Sequence, residues 1–303
     1  MKNWFTYVLF ILSPLLGTAQ LIPASTDDQL GQLISQTGRT APETAVLVGK
    51  NLLGLPYVPH TLDQQPTEQL VVNLREFDCT TYLETVLALT LAWHDNRDRA
   101  IGSRAVTPAA CSALFRQYLT RLRYRDGRID GYVSRLHYFS DWLRDNERKG
   151  FLADVTATLP GRVMVSKPVN YMTSAVYKYP PLSDPAVLDQ MIRVESALNG
   201  QPFAFVPKKN VRLAETALHD GDIVMLTAAR PGLDMKHVGL AVRQPSGRMH
   251  LLHASSDAGR VVVSSTPIAD YVLNHPRLSG LRVARLRPDQ VLTADRYHTG
   301  FSR

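Results

Sequence analysis

The residues that follow Asp78 constrain the fold of this chain more than any other part of its sequence. Leucine and alanine fill the helical pattern over 79–91 almost all round, and little polar surface appears before Trp93 and His94. A helix that is apolar on nearly all sides has to be covered by other elements. We therefore expect this helix at the centre of the fold, with Asp78 as its N-cap residue.

Short strands dominate the second half of the chain. Runs rich in β-branched or apolar residues occupy 203–206, 222–227, 237–243, 249–254, 260–265 and 281–287. Turn signals such as Asp220-Gly221 and Ser246-Gly247 separate these runs. Strands at this spacing favour an antiparallel sheet.

Further helices are predicted before these strands. One begins after Thr40, carries Pro42 in its first turn and ends near Gly54. Two more cover about 108–122 and 134–148. Helices followed by strands indicate an α+β fold. We expect a single domain over residues 20–303, in which the weakly patterned stretch 150–185 is a long connection or a lid.

Residues 1–19 have the three-part layout of a secretory signal. Lys2 is followed by a mostly apolar run and then by the small residues Gly17-Thr18-Ala19. The apolar run is short and interrupted by Pro14, which disfavours a spanning helix; a retained membrane anchor is the alternative. We expect an exported protein, periplasmic or secreted, with no stable membrane span after cleavage.

The charge of the chain bears on its partners. The sequence is 45% hydrophobic and 20% charged, which excludes a disordered protein. Its formal net charge of +7 is densest between Arg116 and Arg128. Such a stretch is more often a solvated helix face than a binding surface for a polyanion. For an exported chain we expect cell-wall polymer as the partner and no nucleic acid; the sequence leaves the oligomeric state open.

Cys79 is the first candidate for chemistry. It stands at the N-terminus of the central helix, where free amides and the helix dipole favour an anion. We therefore expect its thiol to lose a proton more easily than usual, and the thiolate is the nucleophile. The alternative is a small buried apolar residue. A disulfide with Cys111 is also conceivable in an oxidising compartment, but we expect Cys111 to be buried and Cys79 to be free.

Two histidines are the candidates for the base that a nucleophile needs. His237 opens one predicted strand and His253 lies near the end of the next. Adjacent antiparallel strands would place them side by side, so that His253 orients His237 through a ring nitrogen. Gly239 would let backbone or substrate approach closely. The same Cys and two His also form a rival set of zinc ligands, although their spacing contains no compact ligand pair.

Several motifs in order resemble those of the NlpC/p60 cell-wall hydrolases, which are papain-like cysteine peptidases and amidases. They are Leu53-Gly54-Leu55-Pro56-Tyr57, Phe77-Asp78-Cys79-Thr80, Gly221-Asp222-Ile223-Val224 and His237-Val238-Gly239. The sequence is most similar to the N-acetylmuramoyl-L-alanine amidase-like branch. The residues that carry this likeness are 77–85, 123–127, 134–142, 232–234 and 253–256. The resemblance spans about residues 40–290.

The resemblance implies a role for each candidate. Cys79 would be the nucleophile, His237 the general base and acid, and His253 the polar third member. The fold would be a circularly permuted papain-like one, with the Cys79 helix packed on an antiparallel sheet. The reaction would cut the amide between N-acetylmuramic acid and L-alanine in peptidoglycan fragments, without a cofactor or metal. A stem-peptide endopeptidase and a non-catalytic cell-wall binding module are the alternatives.

A second group of residues is predicted to contact the substrate. Arg135 suits a stem carboxylate, although pairing with Asp141 or Glu147 would explain it equally well. Asp141 suits a cation or an amide, and the rings of Tyr138 and Trp142 suit a sugar; the alternative is a buried polar network. The predicted substrate-binding residues are Asp78, Arg135, Tyr138, Asp141, Trp142 and Ser255.

Overall fold

The computed structural model describes residues 38–100, 108–199 and 201–287, together with Leu30 and Leu33. The predicted signal segment 1–19 lies outside the described residues. Among the helices within them, none is both long and apolar enough to cross a lipid bilayer.

Helices come first along the described chain and most strands come later, as the α+β prediction requires. The helices are α1 (Ala41–Asn51), α2 (Cys79–Ala100), α3 (Pro108–Arg123), α4 (Phe139–Arg148), α5 (Pro185–Asn199), α6 (Val211–Glu215) and α7 (Ile268–Asn274). The strands are β1 (Leu152–Asp154), β2 (Val163–Val165), β3 (Phe203–Pro207), β4 (Ile223–Ala228), β5 (Met235–Arg243), β6 (Met249–Ser255), β7 (Arg260–Pro267) and β8 (Leu278–Leu286).

The strands of the described residues form one antiparallel sheet. Its order is β2-β3-β8-β4-β5-β6-β7, and β1 pairs with β8 beside this path. The six predicted strands correspond to β3 through β8 within a few residues. The sheet places β5 and β6, which carry the two candidate histidines, next to each other.

The sheet is buried on both faces. In β4, Ile223 and Met225 pack with α1, α2 and α3, whereas Val224 and Leu226 pack with α6 and α7 on the other face. This double coverage explains why β4 is buried along its whole length and mostly apolar rather than alternating. Helix α2 lies in the first of these two layers, and its Tyr82 and Val86 side chains are fully buried. The prediction of a central apolar helix is therefore confirmed.

The start of α1 follows from its capping residues. The Thr40 side chain accepts a hydrogen bond from the Glu43 backbone at 3.4 Å, and the Glu43 carboxylate accepts one from the Thr40 backbone at 3.3 Å. This reciprocal pair satisfies two amides that the helix leaves open, and Pro42 needs no acceptor in the first turn.

The prediction of one helix over 134–148 is wrong at its start, because α4 begins only at Phe139. The residues just before Phe139 form backbone contacts outside the helix. The Leu136 backbone donates to the Arg123 carbonyl at 2.9 Å, and Arg135 forms an isolated antiparallel bridge with Tyr124. His137 therefore precedes the helix instead of lying one turn before Asp141 on it.

The stretch 150–185 is tied to the sheet and to a small core of its own. Strands β1 and β2 join β8 and β3. Val169, Met172 and Leu182 pack with residues of α5 in a separate apolar cluster. The helices α5, α6 and α7 were not predicted from the sequence pattern.

Candidate active site

Asp78 caps α2 and so fixes the position of Cys79. Its Oδ1 accepts hydrogen bonds from the backbone of Thr81 at 2.7 Å and from the Thr81 hydroxyl at 2.9 Å. The Asp78 backbone donates to that hydroxyl at 2.9 Å. Cys79 follows one residue later, where the Thr80 side chain and the backbone of Val238 in β5 are close enough to lower the pKa of its thiol. The N-terminus of α2 therefore faces the start of β5.

The segment before Cys79 is held by the first sequence motif. Phe77 donates to the Pro56 carbonyl at 3.0 Å and accepts from the Val58 backbone at 2.9 Å. Tyr57 in turn donates to the Gly259 carbonyl at 2.9 Å beside β7. Residues 54–58 thus connect the edge strand of the sheet to the start of the Cys79 helix.

The two histidines meet where β5 and β6 separate. The paired register between these strands ends at Leu240 and Leu252, and beyond it His237 Nε2 lies 2.5 Å from His253 Nδ1. Gly239 permits this approach, because a Cβ there would lie 2.8 Å from both the His253 Cβ and the Leu252 carbonyl oxygen. The predicted juxtaposition of the histidines is confirmed. The bond occupies Nε2 of His237 and leaves its Nδ1 as the ring nitrogen for another partner.

The pKa of the Cys79 thiol is raised, whereas the sequence analysis predicted that it is lowered. Burial, and to a smaller extent the nearby Asp78 carboxylate, raises the pKa of the Cys79 thiol to about 12. The Val238 amide, Thr80 and Lys236 lower that pKa but do not offset the burial. Burial also holds the pKa of His237 well below its usual value and lowers that of His253 to about 4. The resting pair at neutral pH is therefore a thiol with a neutral imidazole.

We expect Asp78→Asn to make Cys79 alkylate faster at a given pH. Asparagine keeps the capping hydrogen bond, while the negative charge that raises the thiol pKa is lost. The rate of iodoacetamide labelling should rise about tenfold for each unit by which the pKa falls. Labelling would be followed between pH 7 and 11 in a Cys111→Ala background, and an unchanged profile would contradict the account.

Acid should destabilise the fold through His253. Its side chain is 1% exposed, and its pKa is about 4 in the folded state but about 6.5 when unfolded. Between these values only the unfolded chain binds the proton, so the free energy of unfolding falls as the pH drops from about 6.5 to 4. At about 1.4 kcal/mol per pKa unit, this loss approaches about 3 kcal/mol. Thermal melts of wild type and His253→Gln should converge as the pH falls; parallel curves would contradict this prediction.

Two predicted substrate residues line one cleft beside the helix start. This cleft of about 140 Å³ includes Asp78, Thr80, Arg135 and His137 in its wall. Arg135 is 7% exposed and pairs with neither of the partners considered above. It bonds instead to the Asp63 carboxylate at 2.6 Å and lies 3.5 Å from Glu68 Oε2. Arg135 is thus already neutralised by chain residues.

The other predicted substrate residues form buried polar contacts, the alternative that the sequence had left open. Asp141 forms a two-point ion pair with Arg125, at 3.0 and 2.6 Å. The Trp142 indole donates to Glu84 at 3.2 Å, and the Tyr138 hydroxyl donates to Glu195 at 2.6 Å. Both rings are at most 2% exposed, so neither presents a face to a sugar. Ser255 Oγ accepts from the Ala258 backbone at 3.1 Å and shapes a turn.

Three residues near the site escaped the sequence analysis. Burial, and to a smaller extent the charge of Asp78, raises the pKa of the Tyr57 hydroxyl to about 12. The Tyr271 ring lies edge-on to His253, with 5.8 Å between ring centres. Lys236 is close enough to lower the pKa of Cys79. Tyr57 belonged to a recognised motif, whereas Tyr271 and Lys236 had no signal of their own.

Neither cysteine is in a disulfide: Cys79 is half-buried and Cys111 fully buried, as predicted. In the described ranges, no group of three or more His, Cys, Asp or Glu side chains is arranged to hold a metal ion.

The fold and the site together define an α+β protein in which a thiol at a helix N-terminus meets a sheet that carries two linked imidazoles. The chain belongs to the N-acetylmuramoyl-L-alanine amidase-like family, whose sequence model matches residues 47–281. The comparison with curated proteins found no match.

Solved structures share this architecture. An N-acetylmuramoyl-L-alanine amidase from Bacteroides uniformis is 36% identical, with a TM-score of 0.71, over 82% of this chain and 99% of that chain. A Bacteroides fragilis protein with a provisional xylanase description is 38% identical, with a TM-score of 0.68, over 78% and 98% of the two chains. A Legionella pneumophila protein at 18% identity and a TM-score of 0.59 covers 86% of this chain and 92% of its own, and shows the fold alone.

Proposed function

We propose that this chain is an exported cysteine amidase that cuts the bond between N-acetylmuramic acid and L-alanine in peptidoglycan fragments. The family and the Bacteroides uniformis amidase support the bond and the substrate class. The layout of residues 1–19 supports export. A helix-borne thiol on a histidine-bearing antiparallel sheet supports a papain-like fold of the circularly permuted NlpC/p60 type.

The bond between His237 Nε2 and His253 Nδ1, at 2.5 Å, carries the mechanistic part of the proposal. A neutral imidazole has one ring nitrogen that donates and one that accepts. If Nε2 of His237 donates to His253, its Nδ1 is the acceptor and serves the Cys79 thiol as a general base. His253 then fixes both the tautomer and the orientation of His237, which is the role of the third member in such triads.

The first half of the reaction forms a thioester. His237 Nδ1 takes the thiol proton as the Cys79 sulfur attacks the lactyl carbonyl of the muramic acid. The amides of Cys79 and Thr80 have no acceptor in the described part of the chain, so they are available to the oxyanion. As the tetrahedral intermediate collapses, His237 returns its proton to the L-alanine nitrogen, the carbon–nitrogen bond breaks and the stem peptide leaves.

The second half restores the enzyme. Water enters the place of the departed amine and gives a proton to His237 as its oxygen attacks the thioester carbonyl. Collapse of the second tetrahedral intermediate breaks the carbon–sulfur bond. His237 then returns the proton to the sulfur, and the sugar leaves with a free lactyl carboxylate.

Mass spectrometry of purified muropeptides after incubation with the mature protein tests the proposal. The expected products are a stem peptide that begins at L-alanine and a sugar without peptide. Shortened stems still attached to sugar would instead indicate an endopeptidase, and binding without cleavage would indicate a wall-binding module. Xylan is the matched negative substrate, since glycosidases work with a pair of carboxylates, whereas this site is built around a thiol and two imidazoles.

A further inference from the structure

The stretch around Tyr171 is fixed to the hairpin that leads into His237. Lys167 Nζ donates to the Leu233 carbonyl at 2.6 Å. The backbones of Asn170 and Tyr171 both donate to the Gly232 carbonyl at 3.0 Å. This part of the stretch 150–185, residues 167–171, is therefore a wall attached beside the start of β5.

A β-bulge sets the position of Lys236 on the same side of the site. His237 pairs with Leu226 and Met235 pairs with Thr227, so Lys236 is an extra residue in its strand. Bulges of this kind redirect a side chain and are frequent next to active sites. Lys236 is exposed, and its charge lowers the pKa values of both Cys79 and Tyr171. Lys236 therefore lies within electrostatic reach of both the nucleophile and the Tyr171 stretch.

Two more cations flank the Tyr171 ring. Arg230 Cζ lies 4.6 Å from the ring centre, and Lys178 Nζ lies 5.3 Å from it and 2.8 Å from the hydroxyl oxygen. We call Lys178, Arg230 and Lys236 the basic rim. None of the three forms an ion pair with a described carboxylate, unlike Arg123 and Arg125, which are neutralised by acids of the chain. Three unpaired cations along one wall attract an anionic ligand.

We propose that the basic rim binds the free carboxylates of the stem peptide. This inference rests on the proposed function. There the leaving amine must lie at His237, and the hairpin that leads into His237 is the element to which the Tyr171 stretch is attached. The lactyl carboxyl group of the sugar is part of the scissile amide and carries no charge, so the negative charge of the substrate lies on the stem. Arg135, the cation first considered for this role, is occupied by Asp63.

The double variant Lys178→Gln/Arg230→Gln tests the rim, because both side chains are exposed and neither is part of a core. Two muropeptides would be compared, one with free stem carboxylates and one with the same carboxylates amidated. Charge-assisted bonds to carboxylates lead us to expect that wild type prefers the free form by about tenfold or more in kcat/KM. The preference should lie in KM, since the rim holds ground state and transition state alike.

The double variant should lose most of this preference, because only Lys236 of the rim remains, and should cleave the amidated substrate as fast as wild type does. Arg193→Gln, which removes an exposed arginine from the Asp189 pair on α5, is the matched control and should keep it. An unchanged preference in the double variant would overturn the proposal. Equal slowing on both substrates would also overturn it, because that result indicates a structural role.

Calorimetry separates this inference from the proposed function. The free stem peptide and its amidated form would be titrated into Cys79→Ala protein with and without the two rim substitutions. Binding of the free form alone, weakened about tenfold or more in the rim variant, supports the subsite even if no muropeptide is cleaved. Equal binding of both forms, or binding unaffected by the rim substitutions, refutes it even if the amidase activity is found.

Discussion

Replacing Cys79 by alanine is expected to lower kcat/KM for muropeptide cleavage by at least about 10³-fold, the scale on which loss of a nucleophile acts in hydrolases. The substitution removes the atom that forms the thioester and leaves the helix and its cap in place. Cys79 as a residue is only partly buried against the core, so the loss of packing is small. Progress curves on one purified muropeptide, with the released stem as the readout, measure the effect.

Cys111→Ala is the matched control for this experiment. Cys111 is fully buried in α3, within the apolar core that α1, α2 and α3 form with one face of the sheet. We expect normal turnover with a loss of stability of about 1 kcal/mol, as for a typical core truncation of this size. Full activity in Cys79→Ala, or a loss of equal size in Cys111→Ala, would remove Cys79 from the mechanism.

His237→Ala should cost about 10³-fold or more in kcat/KM, because no other group replaces it as base and then acid. The pKa of the thiol leads to a further expectation about the alkylation of Cys79 in this variant. The resting thiol is neutral, with a pKa of about 12, so its alkylation at neutral pH should hardly depend on His237. If the resting enzyme instead held a thiolate–imidazolium ion pair, His237→Ala would lower the alkylation rate of Cys79 together with kcat/KM.

The pH dependence of kcat/KM in wild type also tests whether His237 is unprotonated in the resting enzyme. Burial keeps the pKa of His237 well below its ordinary value of 6.5, so the base remains unprotonated through mildly acidic pH. We expect kcat/KM to stay level as the pH drops through 6.5 and to fall only at more acidic values. An acidic limb centred near 6.5 would contradict the environment described for His237.

The sequence predicted those features that depend on local pattern. The helix that starts at Cys79 follows from an N-cap and a nearly all-apolar run, and both are found. The pairing of His237 with His253 follows from two neighbouring strands in antiparallel register. These features need no knowledge of distant residues, which is why they could be predicted.

Features that depend on distant contacts were missed or predicted wrongly. Arg135 meets Asp63, 72 positions away, and no local pattern announces that pair. Lys236 reaches the site only because a bulge shifts the register of β5 against β4. The thiol pKa was predicted in the wrong direction, because burial outweighs the lowering effects of the Val238 backbone, the Thr80 side chain and Lys236. Burial is a property of the whole fold and cannot be read from the Asp78-Cys79 dipeptide.

Turnover of a muropeptide in the presence of hydroxylamine tests the central claim most directly. A thioester on Cys79 can pass its acyl group to hydroxylamine as well as to water, so no intermediate has to accumulate. We predict a muramic acid hydroxamate whose share rises with hydroxylamine, together with an intact stem peptide that begins at L-alanine, and neither product with Cys79→Ala. A hydroxamate on a stem residue, or stem release that yields only the carboxylate at every hydroxylamine concentration, would contradict the account.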